Sequence, residues 1–345
     1  MWRRLLWASL GLAPITMVIR FAFDVGDVTL FVLAAISLVP LAWLIGEATE
    51  QAAKQTGPGI GGFLNATFGN APELIIALFA VNDGLVEVVR GSLTGSVVGN
   101  LLLVLGASLI VAPAKEIDRR SALISVGLVL MATLLFTIVA ATDWNGGVSD
   151  HTLKVLSIPI SVVLLFVYLG VTAWQLQRHR LLHAGADLDS SAWPLRVTLL
   201  TLGVATAATA IVAEILVGSI ETFAESLHLS DFFVAAVIVA IVGNAAEHGG
   251  AVIVARRGRV KLATEIAVSS SAQVAVFLIP AVAVVSWAIT PLSFAFRQVE
   301  IGVMGGAAIL AGLMLVQGRS SHWRGWVLLA GYAVAAAIFY KAGGR

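Results

Sequence analysis

Residues 61–82 read GGFLNATFGNAPELIIALFAVN, and residues 240–255 read AIVGNAAEHGGAVIVA. Each run places a Gly-Asn-Ala-x-Glu motif, Gly69 to Glu73 and Gly243 to Glu247, inside otherwise apolar sequence. A carboxylate at the centre of a membrane-spanning helix costs ~2.5–3.5 kcal/mol on insertion scales, so it faces a partner or a water-filled cavity. Asn70 and Glu73 are i, i+3 neighbours on one helix face, and Asn244 and Glu247 repeat that spacing. Pro72 has no N–H to offer the Phe68 carbonyl, and it disfavours helix at Ala71. The spacing therefore predicts a break near Phe68 and Gly69 that frees backbone carbonyls, which a membrane tolerates only where they line a cavity. Carbonyl, amide and carboxylate oxygens together suit a hard cation such as Ca2+. The second copy has Ala246 in place of the proline, so a break there has to come from Gly243 and its surroundings.

Asn-x-x-Glu is also a capping-box helix start, with Asn70 at the N-cap and Glu73 three residues on. Two copies at corresponding places in apolar runs favour the functional reading. They lie 174 residues apart; Ser96 to Asn100 (SVVGN) matches Ser269 to Gln273 (SSSAQ) at an offset of 173, and Gly46 to Glu50 loosely matches Val217 to Glu221. A common origin of two halves explains this pattern. Copies with five spans each insert in opposite orientations, and such inverted repeats characterise secondary transporters, with the site at the repeat interface near the midplane.

The composition supports the membrane setting. Of 345 residues, 59% are hydrophobic and only 12% charged, about half the ~25% charge of soluble domains. A soluble enzyme is excluded. A net charge of +1 gives no case for nucleic acid as a partner, and the lack of cysteine excludes disulfides, thiolate metal sites and thiol nucleophiles. The expected fold is an all-α polytopic membrane protein with eleven spans of ~20 residues. These are Leu5–Ile19, Val28–Gly46, Ile60–Val81, Gly91–Ala112, Ser121–Ala141, Thr152–Trp174, Leu195–Gly218, Phe232–Ala255, Thr264–Ile289, Glu300–Val316 and Gly325–Tyr340. The organisation is a leading helix in 1–27, a first five-helix repeat in 28–174, a polar linker in 175–194, and a second, inverted repeat in 195–345. With the N-terminus inside, fifteen of the 21 basic residues fall in inside segments and six outside, so the positive-inside rule places the N-terminus in the cytoplasm and the C-terminus outside.

Other polar residues are read on both accounts. Ser96, Asn100, Ser269 and Gln273 supply neutral oxygens on the following spans and complete a coordination shell, or they serve ordinary interhelix packing. Glu47, Glu50, Glu214, Glu221 and Glu225 near the ends of the second and seventh spans line ion access paths, or stay solvated at the interface. His248 relays protons beside Glu247, or is a hydrogen-bonded packing histidine. A His-Glu-x-x-His zinc motif and a phosphate-binding loop are both missing from the sequence. No extramembrane stretch is long enough for a catalytic domain, so the chain is read as a non-enzyme that uses no cofactor.

The two motif segments resemble the signature repeats of the calcium/proton exchanger family, within the calcium/cation antiporter superfamily. The likeness extends over essentially the whole chain. It implies eleven helices, alternating access between the halves, and competitive binding of Ca2+ and protons at Glu73 and Glu247. It also implies a site lined by the Gly69 and Gly243 carbonyls, Asn70, Asn244, Ser96, Asn100, Ser269 and Gln273. The second and seventh spans, bearing Glu50 and Glu221, would form a moving pair. Some family members carry a long acidic segment between the halves; here the linker holds only Asp187 and Asp189, which removes the basis for regulation through it. The size resembles bacterial members, so a bacterial plasma membrane is expected. The partners implied are inorganic cations and the lipid bilayer, with a homo-oligomer left open. The rival functions are a Na+- or K+-coupled exchanger of the same superfamily and, in a different class, a cation channel.

Overall fold

The computed structural model describes residues 2–144, 146, 148–182, 193–293 and 296–343, with the side chains of 2–4, 57–63, 65–66 and 174–182 set aside. Half of the expected linker, residues 183–192, lies outside the described residues. Among the described residues the chain is helical, and the single β-bridge joins Glu116 to Arg319.

In chain order the helices are α1 (Trp2–Ser9), α2 (Leu12–Ala22), α3 (Asp27–Phe68), α4 (Ala71–Asn82), α5 (Val86–Val98), α6 (Leu105–Val111), α7 (Arg119–Asp143) and α8 (Asp150–Leu182). After the linker come α9 (Leu195–Gly218), α10 (Ile220–Ser226), α11 (Asp231–Phe233), α12 (Ala240–Gly243), α13 (Ala245–Arg256), α14 (Val260–Gln273), α15 (Ile279–Ser286), α16 (Gln298–Leu315) and α17 (His322–Gly343). Three π-helical stretches, Gly99–Val104, Val234–Val239 and Val274–Leu278, join α5 to α6, α11 to α12, and α14 to α15. The first begins within the SVVGN segment, and the third directly follows the matching SSSAQ segment. Such wide turns recur at functional sites.

Nine of the described helices are long and apolar enough to cross a membrane, or ten if the bent pair Ile220–Ser226 and Asp231–Gly243 counts as one. Ala71–Asn82 is a shorter apolar helix. The protein is thus an integral membrane protein built of helices. One expected boundary is absent: the second and third spans are not separated by a loop after Gly46. Instead α3 runs unbroken for 42 residues, about 63 Å, twice the ~30 Å hydrocarbon core. The intervening EATEQAAKQT is rich in helix formers. The Glu50 to Lys54 ion pair, 2.9 Å at i, i+4, ties one turn to the next, and the Thr49 and Thr56 hydroxyls donate to the carbonyls four residues back.

The two motif breaks do form. α3 ends at Phe68 and α4 starts at Ala71, with Pro72 in its first turn and Asn70 non-helical at φ −99, ψ 14. α12 ends at Gly243 and α13 starts at Ala245, with Asn244 at φ −92, ψ 7. The second break forms without a proline, so a break of this shape does not depend on Pro72 alone.

Packing is close where glycine permits it. A Cβ at Gly95 would sit on the backbone of Ala236, and one at Gly91 would lie 2.6 Å from the Phe232 carbonyl oxygen. α5 therefore lies directly on the Val234–Val239 stretch that leads to Gly243. At one end of this contact, four charged side chains form a network that is partly open to solvent at Glu87 and Arg297. Arg90 pairs with Glu87 at 2.6 Å, Arg297 with Glu300 at 3.0 Å and also with Glu87, and Arg90 lies 3.7 Å from Glu300. Glu300 is fully buried. Arg297 also donates to the Ala342 carbonyl and lies 4.6 Å above the Phe232 ring. The network ties α5, α11, α16 and α17 together.

Gly95→Ala is expected to cost on the order of 1–3 kcal/mol through overpacking and to lower the thermal-unfolding midpoint in detergent. Gly127→Ala, where a Cβ meets nothing within 4 Å, is expected to leave that midpoint unchanged.

Candidate cation-binding site

The helix breaks bring the two motifs face to face. Asn70 and Asn244 occupy the N-cap positions of α4 and α13: their carbonyls accept from Leu74 at 3.0 Å and His248 at 2.9 Å. Neither side chain caps its own helix, so the capping-box reading accounts for the backbone and not for the amides. The amides reach across to the other half of the chain. Asn70 Nδ2 donates to Gln273 Oε1 at 3.1 Å. Asn244 Nδ2 donates to Ser96 Oγ at 2.9 Å and to the Ala240 carbonyl at 2.9 Å, and its Oδ1 accepts from Asn100 Nδ2 at 3.5 Å. The pattern is reciprocal, because Asn100 and Gln273 are themselves matching positions. Gln273 Nε2 further donates to Ser269 Oγ at 3.4 Å, and Ser271 Oγ donates to the Val97 carbonyl at 3.0 Å.

The two carboxylates meet at this junction, close enough to interact electrostatically. Their surroundings differ. Glu73 is 6% exposed, its Oε2 has no hydrogen-bond partner among the described residues, and its Cγ lies 3.3 Å from where a Gly243 Cβ would stand. A side chain at 243 would therefore press on Glu73, which would have to shift by a few tenths of an ångström. Glu247 is partly accessible and accepts a hydrogen bond from Ser270 Oγ. The matching position to Ser270 in the first half is Val97, so Glu73 has no equivalent donor. An unsatisfied buried carboxylate oxygen is costly, and together with the amide and hydroxyl oxygens around it this donor set suits a hard cation.

A cavity of about 1000 Å³ reaches this junction from one end of the bundle. Gly69, Gly243, Glu247, Ser269, Ser270 and Gln273 line its inner part, and Glu47, Glu50, Lys54, Arg257 and Glu265 its outer part. Glu50 is on this path, paired with Lys54. Glu221 is not: it is exposed on the first turn of α10, at the other end of the molecule. His248 packs beside Glu247 with Nε2 unpartnered among the described residues and does not line the cavity. Sequence reasoning singled out Ser269 and missed Ser270 and Glu265. In the run Ser269-Ser270-Ser271, only the phase of α14 against its neighbours distinguishes the three hydroxyls.

The sodium/calcium exchanger protein family model matches residues 27–177 and again 197–341. The chain belongs to that family. Its similarity to Ca(2+)/H(+) antiporters covers most of the chain. It is 36% identical to the antiporter of Synechocystis sp., covering 91% of each chain, and 36% identical to the antiporter ChaA of Bacillus subtilis, covering 90% of this chain and 92% of that one. The solved structure of native YfkE superposes with a TM-score of 0.83 at 32% identity, over 99% of this chain and 100% of that one.

In this family member, Gly243→Ala is expected to displace Glu73 and weaken cation binding about tenfold, equivalent to ~1.4 kcal/mol. Equilibrium binding of radiolabelled cation to purified protein checks this, with the unfolding midpoint expected to stay unchanged.

Proposed function

We propose that the chain exchanges Ca2+ for H+ across a membrane by alternating access, with Glu73 and Glu247 binding cation and protons in competition. The observation that carries this reading is the reciprocal bonding of Asn70 and Asn244 across the two halves, which draws both carboxylates to one junction. The names of the similar antiporters select Ca2+ and H+ over the Na+- or K+-coupled alternative. A channel would need a continuous pore, whereas the described cavity ends at the junction with Glu73 buried behind it.

In this reading the chain has eleven crossings. The nine long helices, the bent pair and the short α4 make up that number. The family model's two matches, to either side of the linker, support two related halves, and the opposite placement of Glu50 and Glu221 supports their inversion. Gly69, Gly243, Asn70, Asn244, Ser96, Asn100, Ser269, Ser270 and Gln273 surround the ion. Transport of Ca2+ and H+ in this way uses no bound cofactor and no catalytic group. The expected setting is a bacterial plasma membrane, with the cavity mouth at Lys54 and Arg257 on the cytoplasmic side, as the basic residues assign it.

The deciding measurement is Ca2+ uptake into proteoliposomes under an imposed pH gradient. Uptake that follows the pH gradient is expected; uptake driven by a Na+ gradient at fixed pH, without proton movement, would overturn the proton coupling. Glu73→Gln and Glu247→Gln are each expected to abolish exchange while folded protein remains in the membrane, since glutamine keeps the size but neither carries the charge nor releases a proton. The sign of the pH effect follows from competition: as pH falls, protons occupy the carboxylates and the apparent Ca2+ affinity weakens. A pH-independent affinity would sink the mechanism. Single cysteines placed in the natural cysteine-free chain at Ser121 and Gly258 are expected to label from the cytoplasmic side; labelling of both only from outside would reverse the topology.

A further inference from the structure

A second cavity, of about 530 Å³, opens beside the outer part of the first. The turn between α13 and α14 separates them: Arg257 lines the first, and Gly258 to Leu262 line the second. The walls of the second cavity come from both sides of the linker. Lys115 and Glu116 belong to the loop between α6 and α7, whereas Arg259 and Lys261 stand at the start of α14. Lys115 Nζ donates to the Gly258 carbonyl at 3.1 Å, in a turn that holds Gly258 at the positive φ of 78. The backbone of Lys115 is fixed in turn by the loop before α17. Its N–H donates to Ser320 Oγ at 2.8 Å, and its carbonyl accepts from the Ser320 N–H at 2.8 Å. Three loops thus hold the cavity in shape.

The charge on its walls is unbalanced. Lys115, Arg259 and Lys261 are all exposed, and among the described residues none of them forms an ion pair. Glu116 is the one carboxylate among the described lining residues. The first turn of α14 carries no acidic residue, so the positive end of that helix adds to the repulsion between Arg259 and Lys261. Cations gathered around a concavity reinforce one another's potential. The cavity also lies at the depth where a bilayer presents its headgroups. Trp323 and Trp326, 56% and 61% exposed, stand on the first turns of α17, just beyond the Ser320 that grips Lys115. Exposed tryptophans at a helix end mark the membrane–water interface.

We propose that this cavity binds the headgroup of an anionic phospholipid of the cytoplasmic leaflet, with its phosphate held by Lys115, Arg259 and Lys261. Basic recesses between helices on that side of a membrane suit such headgroups. The planar guanidinium of Arg259 matches two phosphate oxygens, while the two lysine ammonium groups act as point charges. A zwitterionic lipid brings its own cation along with the phosphate and leaves the excess charge of the walls unmet, which is what selects an anionic one. A bound lipid would join the loop before α7 to the turn between the helix of Glu247 and the helix of Ser270. The leaflet follows from the topology proposed above; binding itself does not depend on transport.

Native mass spectrometry of the full chain in detergent tests this, with phosphatidylglycerol and phosphatidylcholine of equal chain length supplied at equal concentration. Phosphatidylglycerol is expected to be preferred about tenfold as the first lipid bound. Combining Lys115→Gln, Arg259→Gln and Lys261→Gln is expected to abolish that preference. Combining Arg119→Gln, Arg120→Gln and Arg196→Gln removes the same charge from exposed arginines outside the cavity and is expected to preserve it. Wild-type protein that binds the two lipids equally overturns the proposal, whether or not either variant folds. Equal loss in both triple variants also overturns it, since that is diffuse attraction to a basic surface. Displacement of phosphatidylglycerol by millimolar inorganic phosphate would make the cavity a site for the free anion and overturn the lipid assignment.

Discussion

Two carboxylates inside an apolar helix bundle set the terms for this structure. Neither can be left against lipid, and each needs oxygen-rich surroundings that an intact helix does not supply, because its backbone is fully paired. The chain meets this demand by breaking two helices at a Gly-Asn step and turning each asparagine amide toward the opposite half. Asn70 reaches Gln273, and Asn244 reaches Ser96 and Asn100. Gly243 leaves room beside Glu73, and Gly95 lets α5 approach the helix that carries Gly243. The site and the close packing are therefore one arrangement.

The near-symmetry of the bonding contrasts with the asymmetry of access. Glu247 faces the cavity and accepts from Ser270, whereas Glu73 is enclosed. Two equivalent sequence motifs thus present one reachable and one sequestered carboxylate in a single conformation.

Much of this was legible in the residues. The apolar runs located most helices to within a few positions, and Leu195–Gly218 coincides in both descriptions. The motif pair located the carboxylates, and the SVVGN and SSSAQ match found their amide partners. What was not legible depended on tertiary phase or on the balance of local propensities. The stretch after Gly46 carries enough polar residues to suggest a loop, yet its alanines, its i, i+4 ion pair and its back-bonding threonines keep it helical. Proline at 72 suggested the cause of the first break, but the second break forms without one, whereas the Gly99-Asn100 step stays helical, so the surroundings decide which Gly-Asn step breaks. Which of three consecutive serines touches Glu247 depends on the rotation of α14, about which local sequence says nothing.

The charged network of Glu87, Arg90, Arg297 and Glu300 joins parts of the chain that are far apart in sequence. Glu87 and Arg90 come early in the chain, just ahead of the fourth expected span, while Arg297 and Glu300 lie some 210 residues later. Until α16 is made, the early pair has only itself, and Glu300 alone would place an unmatched charge in the bundle. Truncation after α15 would remove Arg297 and Glu300 and leave Glu87 and Arg90 paired only with each other.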